Sequence, residues 1–552
     1  MQREFHLITR RAAIRGMVRR AGGLWGAGAL TSTLNLQGVR ALAAARAEPI
    51  VETKHGKLRG LVRNGVYTFR GIPYGASTGG RNRFMAPREP ASWAGVRDAF
   101  TNGKIAPQIV PAVGSGPLMW RQQLRESVQG EDCLTLNLFT PGLHDGRKRP
   151  VMFWCHGGGG YSYGAGSLSE FDGNNLARRG DVVVVSITHR LNIFGHLDLA
   201  GIGGEEYADS ANVGILDIRA ALQWVRENIE RFGGDPRNVT TFGQSGGGDK
   251  VSALCAMPSA KGLFHKAAVQ SGSTFQTLLH DASTKTAESV LAKLGLRADQ
   301  LHELQNIPPG RLLSAIVAAP GERPLRFGPV VDGRVLPGRP FDPAAPEVSA
   351  DVPMIIGTTA TETTYMIGAT DPAVFQLSEA DMRMRLKKIA GDSSEGLIDL
   401  YRKNRPQASP SDIFFAITTD RQMRRSAILQ AERKAAAGHA PAYMYLMAWK
   451  TPVEGGKWRS PHTVEVPFVW DNTNESASLV GRGPELRPLA DKMSGAWLAF
   501  AHTGRPSTSG LKWPAYTASQ RATMIFDNRC EVVNDPDKQE RLAIELSLTP
   551  SA

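Results

Sequence analysis

Apolar runs and their spacing divide the middle of the chain into alternating strands and helices. Residues 150–155 (Pro-Val-Met-Phe-Trp-Cys) and 181–187 (Asp-Val-Val-Val-Val-Ser-Ile) are continuous apolar runs of strand length, as in a parallel sheet covered on both faces. Between 215 and 232 the apolar positions fall at helical spacing (Ile218, Leu222, Val225, Ile229), and a short β-branched run at 238–242 follows. Strand, helix, strand in that order predicts a mostly parallel sheet. Further on, the pattern predicts a helix over 250–257, strands over 265–270, 352–357 and 442–447, and a late helix over 489–503. Nearer the start, 48–63 reads as a hairpin turning at His55-Gly56, and 134–139 alternates strictly, predicting a half-buried strand. Helix-rich stretches at about 275–350 and 379–440 interrupt the strands. The expected architecture is α/β: one central, mostly parallel, twisted sheet flanked by helices. The helical insertions would lie over its carboxyl edge, where ligands sit in open α/β sheets.

The first 47 residues change the reading of charge. A basic stretch containing Arg10-Arg11 is followed by a Gly/Ala-rich apolar run over 21–36 and then by Ala45-Arg46-Ala47, the order of an export signal. The paired arginines resemble a bacterial twin-arginine signal, although Ala13 stands where that motif usually has Phe. Gly22, Gly23 and the polar residues 31–33 and 35 make the apolar run too short and weak for a membrane anchor. A single domain over 48–552, exported to the periplasm or secreted, is therefore expected. Eight arginines and one glutamate lie within 1–47, so +7 of the chain's +13 belongs there and +6 remains for the rest. No later basic block carries interleaved aromatics, which argues against a nucleic-acid partner. Four cysteines (133, 155, 255, 530) without a C-x-x-C pair support neither a metal nor a redox site.

The chemistry centres on Gly243-Gln244-Ser245-Gly246-Gly247, directly after the 238–242 run. A serine at the tip of a sharp strand-to-helix turn needs a strained backbone, and glycines two residues either side remove Cβ atoms that would collide. The turn presents the hydroxyl and places the Gly246 amide beside it. An idle serine in a glycine-rich turn carries the same five residues, so partners are required: a base, an orienting acid and oxyanion donors. His156-Gly157-Gly158-Gly159-Gly160 directly follows a buried strand and lets backbone amides converge on one point, the alternative reading of the same residues being a flexible loop. For the acid, Glu362 lies five residues past Gly357, with Asp332 and Asp351 as rivals. For the base, His462 follows the 442–447 strand by a loop, while His439 precedes that strand and His502 sits on the late helix. The order Ser, Glu, His is that of α/β-hydrolases.

With those residues in view, the chain resembles the type-B carboxylesterase family, which also holds cholinesterases and bacterial para-nitrobenzyl esterases. The likeness runs from about 49 to 530. It includes Phe69-Arg70-Gly71-Ile72-Pro73-Tyr74, Glu131-Asp132-Cys133-Leu134, the His156 glycine loop, Asn212-Val213-Gly214 with Asp217, Phe232 to Gly247, Gly357 with Glu362, and His462 with Glu465. The resemblance implies Ser245 as nucleophile, His462 as general base and acid, Glu362 as orienting carboxylate and Gly158, Gly159 and Gly246 as oxyanion donors. It implies no metal or organic cofactor, and a small-molecule ester as substrate. Three departures stand out. Gln244 replaces the family's usual Glu, and Gly246 replaces Ala, keeping the amide and adding room. Cys133 lacks its usual partner, since 105–108 (Ile-Ala-Pro-Gln) holds no Cys, so that disulfide is expected to be absent. Other readings on the same fold are a non-catalytic binding or adhesion module, and an amidase or acyltransferase using the same triad. Trp93, Tyr161, Tyr163 and Phe194 are candidates for the substrate pocket or for ordinary packing.

Overall fold

Strand Arg149–Cys155 shows how the sheet is built. Every residue in it is buried, yet successive side chains go to opposite sides. Val151, Phe153 and Cys155 enter one apolar core, and Met152 and Trp154 enter another. A period of two with both phases apolar is what a sheet sandwiched between helices requires. The structure, a computed structural model, describes residues 48–111, 120–273, 275, 277–318, 322 and 324–548. The expected export signal at 1–47 lies outside the described residues.

Eleven strands form the main sheet among the described residues. From one edge they run Leu61–Arg63, Val66–Pro73, Thr135–Thr140, Val183–Ile187, Arg149–Cys155, Gly234–Gln244, Lys266–Gln270, Met354–Thr359, Ala442–Met447, Ala522–Phe526 and Glu531–Asn534. The seven from Val183–Ile187 to Ala522–Phe526 pair in parallel, and the strands outside them pair antiparallel. Register aligns the carboxyl ends: Cys155 lies opposite Gly243, Gln270 opposite both Gln244 and Gly357, and Thr359 opposite Met447. The loops after Cys155, Gln244, Gln270, Thr359 and Met447 therefore leave the sheet along one edge.

Helix Val213–Asn228 buries Ile215, Ile218, Leu222 and Val225 against the sheet and continues as a 3₁₀ turn, Ile229–Phe232, into strand Gly234–Gln244. Helices His280–Leu294 and Pro309–Ala315 fall in the first helix-rich stretch. Glu379–Ala390, Ser394–Asn404, Pro410–Thr419 and Arg425–Ala437 fall in the second. The second group carries its own apolar core around Leu386, Ile398, Tyr401, Ile413 and Phe415. Near the start, Ile50–Thr53 and Gly56–Arg59 pair antiparallel about Lys54-His55, one residue earlier than the His55-Gly56 turn expected from sequence.

One expectation is corrected. The strand over 134–139 is not half-buried: Thr135–Thr140 lies inside the sheet, with five of its six residues buried. Its polar alternate Asn137 is accommodated because its side-chain carbonyl accepts from the Gly71 amide at 3.0 Å and its amide donates to Asn102 at 3.0 Å. A buried polar residue with both ends satisfied imitates the outward position of an amphipathic strand.

Two charged residues of the family-like motifs serve the framework. Glu131 receives a two-pronged pair from Arg83 at 2.7 and 2.6 Å. Asp217, fully buried on helix Val213–Asn228, does the same for Arg190 at 2.8 and 2.6 Å and also accepts the Arg190 backbone amide. Breaking such a pair strands a buried charge, which typically costs about 3–5 kcal/mol. Asp217→Asn is accordingly expected to lose about that much in chemical denaturation. A loss below about 1 kcal/mol would show that Arg190 finds another partner.

Candidate active site

Gly243 and Gly247 bracket Ser245 for a steric reason: a Cβ on Gly243 would lie 2.5 Å from the Gly247 carbonyl group. Between them Ser245 adopts φ +58°, ψ −129°, costly for a residue with a side chain and held here by its surroundings. Its amide donates to the Gln270 carbonyl at 2.8 Å, and its carbonyl accepts from Asp249 at 3.1 Å as helix Gly246–Ala256 begins. Ser245 is partly exposed and faces a cavity that His462, Gly157, Gly158 and Gly159 also line.

Glu362 and His462, a hundred residues apart, meet through Thr361 and Ser460. The Thr361 amide and hydroxyl donate to the Ser460 carbonyl at 3.1 and 2.9 Å, and the Ser460 amide donates back to the Thr361 hydroxyl at 3.0 Å. The Ser460 hydroxyl also donates to the carbonyl of Met447, at the end of its strand. His462 Nδ1 then lies 2.5 Å from Glu362 Oε2, the carboxylate being fully buried. The other oxygen, Oε1, accepts from the Ser271 hydroxyl at 2.6 Å and the Thr359 amide at 2.7 Å. Burial disfavours the imidazolium, but the charge of Glu362 and its hydrogen bond outweigh burial, so His462 titrates above the usual 6.5.

The glycine loop takes the backbone that glycine allows, with φ +123° at Gly158 and +56° at Gly159. Among the described residues the amides of Gly158, Gly159 and Gly246 have no backbone acceptor and are free to serve a ligand. The room expected at Gly246 is not vacant. A Cβ there would stand 2.0 Å from the Gly160 carbonyl oxygen, because the glycine loop packs directly on the first turn of the helix.

The rival acids and bases are elsewhere. Asp332 closes a turn, accepting from Arg334 and Leu336. Asp351 is exposed beside exposed His439, and His502 bonds the Gly180 carbonyl. Of the aromatic candidates, Tyr163 lines the Ser245 cavity, stacked on Trp120, and Tyr161 borders a separate, more polar cleft. Trp93 instead bonds the Lys57 carbonyl, and Phe194 packs in another core. Gln108, within the 105–108 stretch where the family's second half-cystine is expected, bonds both the amide and the carbonyl of Gly164, and all four cysteines are free.

Sequence reasoning missed Trp120, Phe171, Tyr365 and Glu170 in the cavity wall, and named Gln244 and Glu465 without placing them. Trp120, Phe171 and Tyr365 wall the cavity from three separate segments, and no local pattern links them. Glu170 also lines it, and burial pushes its carboxyl up to about 7. Gln244 lays its amide nitrogen 3.5 and 3.4 Å from the two ring nitrogens of His462, a spacing that puts it over the ring face. Glu465, fully buried close to Glu362, has its pKa raised by burial first and by that neighbouring charge second. No group of three or more His, Cys, Asp or Glu side chains among the described residues is placed to hold a metal ion. The site thus offers a hydroxyl, a basic imidazole steadied by a carboxylate, and a set of unengaged amides, the parts needed for acyl transfer.

Comparison with known proteins agrees with that chemistry. A family model described as the carboxylesterase family matches residues 47–544. The para-nitrobenzyl esterase of Bacillus subtilis is 37% identical over 500 residues, covering 89% of this chain and 97% of the relative. The phenmedipham hydrolase of Pseudarthrobacter oxydans is 33% identical over 508 residues, covering 90% and 99%. Among solved structures, a carboxylesterase of Geobacillus stearothermophilus superposes with a TM-score of 0.78 at 38% identity, covering 90% of this chain and 99% of its own.

Proposed function

Because this chain belongs to the carboxylesterase family, has the α/β-hydrolase fold and is a carboxylic ester hydrolase, we propose that it acts through a Ser245–His462–Glu362 triad and an acyl-enzyme on Ser245. His462 Nε2 removes the Ser245 proton as Oγ attacks the ester carbonyl. The charge that develops on the carbonyl oxygen is met by the amides of Gly158, Gly159 and Gly246. When the tetrahedral intermediate collapses, the bond to the alkoxy oxygen breaks and His462 returns the proton to the departing alcohol. Water, deprotonated by His462, then attacks the acyl-serine; the acid leaves and the Ser245 hydroxyl is restored. Throughout, Glu362 accepts from Nδ1–H, keeping Nε2 free as a base and stabilising the imidazolium that forms.

The observation that carries this reading is the 2.5 Å contact between His462 Nδ1 and a fully buried Glu362, on the wall of the same cavity that Ser245 faces in its strained turn. The cavity's largely apolar lining supports an uncharged ester as substrate. A fluorophosphonate probe tests the assignment. It is expected to attach to Ser245 of the folded protein, with loss of p-nitrophenyl ester hydrolysis in proportion to labelling. Adduct formation at another residue, or full activity after complete labelling, would overturn it.

A further inference from the structure

Lys250 lies five residues after Ser245, one turn down helix Gly246–Ala256, and is completely buried. Its Nζ donates to the carbonyl of His156 at 2.8 Å and rests 5.3 Å from the ring centre of Tyr161. Among the described residues no carboxylate comes within ion-pair distance of it. Around it are His156 stacked on His189 at 4.8 Å and Tyr161 edge-on to His196 at 4.9 Å. Burial pulls Lys250 down to about 7. Burying an ammonium without a counter-charge costs several kcal/mol, so a lysine here is a poor choice for stability alone.

What it touches is informative. His156 ends the sheet edge and opens the glycine loop that carries the amides of Gly158 and Gly159. The helix carrying Lys250 begins with Ser245 and the amide of Gly246. The same two segments press together at a second point, where the Gly160 carbonyl oxygen fills the space a Cβ on Gly246 would need. We infer that Lys250 is a positioning residue for ester cleavage, tying the glycine loop to the nucleophile helix so that amides from both converge on one oxygen. The inference rests on the oxyanion assignment made above. A shift of about 1 Å in such a constellation can cost about 10²-fold in rate without weakening ground-state binding.

The test uses Lys250→Met, which keeps length and volume but removes the donor, and Lys250→Gln, which keeps a donor. For the Met variant, kcat on a p-nitrophenyl ester is expected to fall about 30- to 100-fold with KM within twofold. Affinity for an alkyl trifluoromethyl ketone, which forms an oxyanion adduct with the serine, should fall in parallel. Affinity for the matching methyl ketone, which occupies the cavity without that charge, should stay within twofold. The melting temperature should not drop, since a buried unpaired cation has been removed. The Gln variant should recover at least tenfold of the lost kcat. A Met variant with parental kcat and trifluoromethyl-ketone affinity overturns the inference, provided the parent is labelled at Ser245. So does a Gln variant as slow as the Met variant. Failure of the Met variant to fold, or equal loss of affinity for both ketones, also overturns it, because Lys250 would then support the fold at large. Absence of labelling in the parent would instead sink the triad assignment, so the two failures are distinguishable.

Discussion

Ser245→Ala is expected to lower kcat on p-nitrophenyl esters by about 10⁵- to 10⁶-fold, leaving KM for residual binding and the melting temperature almost unchanged. The rate loss is that of removing a nucleophile whose partners act only through it, so the rest of the triad salvages little. Stability holds because alanine has the same Cβ and therefore meets the same strain at φ +58°, ψ −129°. The Ser245 side chain also caps nothing at the start of its helix. Ser245→Gly separates strain from chemistry. It should be just as inactive but more stable, by up to about 1–3 kcal/mol, because glycine adopts that backbone freely. Circular dichroism melts beside active-site titration check both. An alanine variant that retained a hundredth of parental kcat would show that another group attacks the ester.

Glu362→Gln is expected to cost about 10⁴-fold in kcat, and the reason lies in hydrogen-bond polarity. Oε1 accepts from two fixed donors, the Ser271 hydroxyl and the Thr359 amide, at 2.6 and 2.7 Å. The glutamine carbonyl must therefore take that position, which turns the amide group toward His462 Nδ1. An amide donates there, so Nδ1 must become the acceptor and the ring proton moves to Nε2. Nε2 then has no lone pair with which to accept the serine proton. The pH profile should change as well. In the parent, Glu362 outweighs burial and holds His462 above 6.5. Since only neutral imidazole is a base, the acid limb of kcat/KM should have its midpoint above 6.5. Without the carboxylate, burial is left to push the other way, and the midpoint of the residual activity should move down. A fall of less than tenfold, or an acid limb that does not move, would show that Glu362 does not orient the base.

Both predictions concern residues that stand far apart in sequence, and they were not equally legible there. Gly-x-Ser-x-Gly announces itself because part of its cause is local: a Cβ on Gly243 would strike the carbonyl group of Gly247 four residues on, while a Cβ on Gly247 would strike the Cys155 carbonyl on the neighbouring strand. The glycine loop is local too, since positive φ at consecutive positions selects glycine wherever the fold lies. The parallel strands are legible because a strand buried on both faces must be apolar in both phases, as in Met152, Phe153 and Trp154. The same rule misleads at Thr135–Thr140, where Asn137 finds partners inside the sheet and imitates an exposed phase.

The pairing of acid and base is different in kind. By residue pattern alone Glu362 had Asp332 and Asp351 as rivals, and the order Ser, Glu, His singled it out only through a family resemblance. What joins it to His462 is the parallel register of Met354–Thr359 with Ala442–Met447, together with the Thr361–Ser460 clasp between the loops that follow. Lys250 beneath the His156 carbonyl and Glu170 in the cavity wall belong with these. A lysine or glutamate in a helix or loop reads as surface until the fold buries it. Local steric demands and two-sided burial are written into neighbouring residues, so the chain order alone discloses the strained serine turn and the parallel strands. Contacts between loops depend on which strand ends the sheet sets side by side, and that is decided only when the whole chain packs.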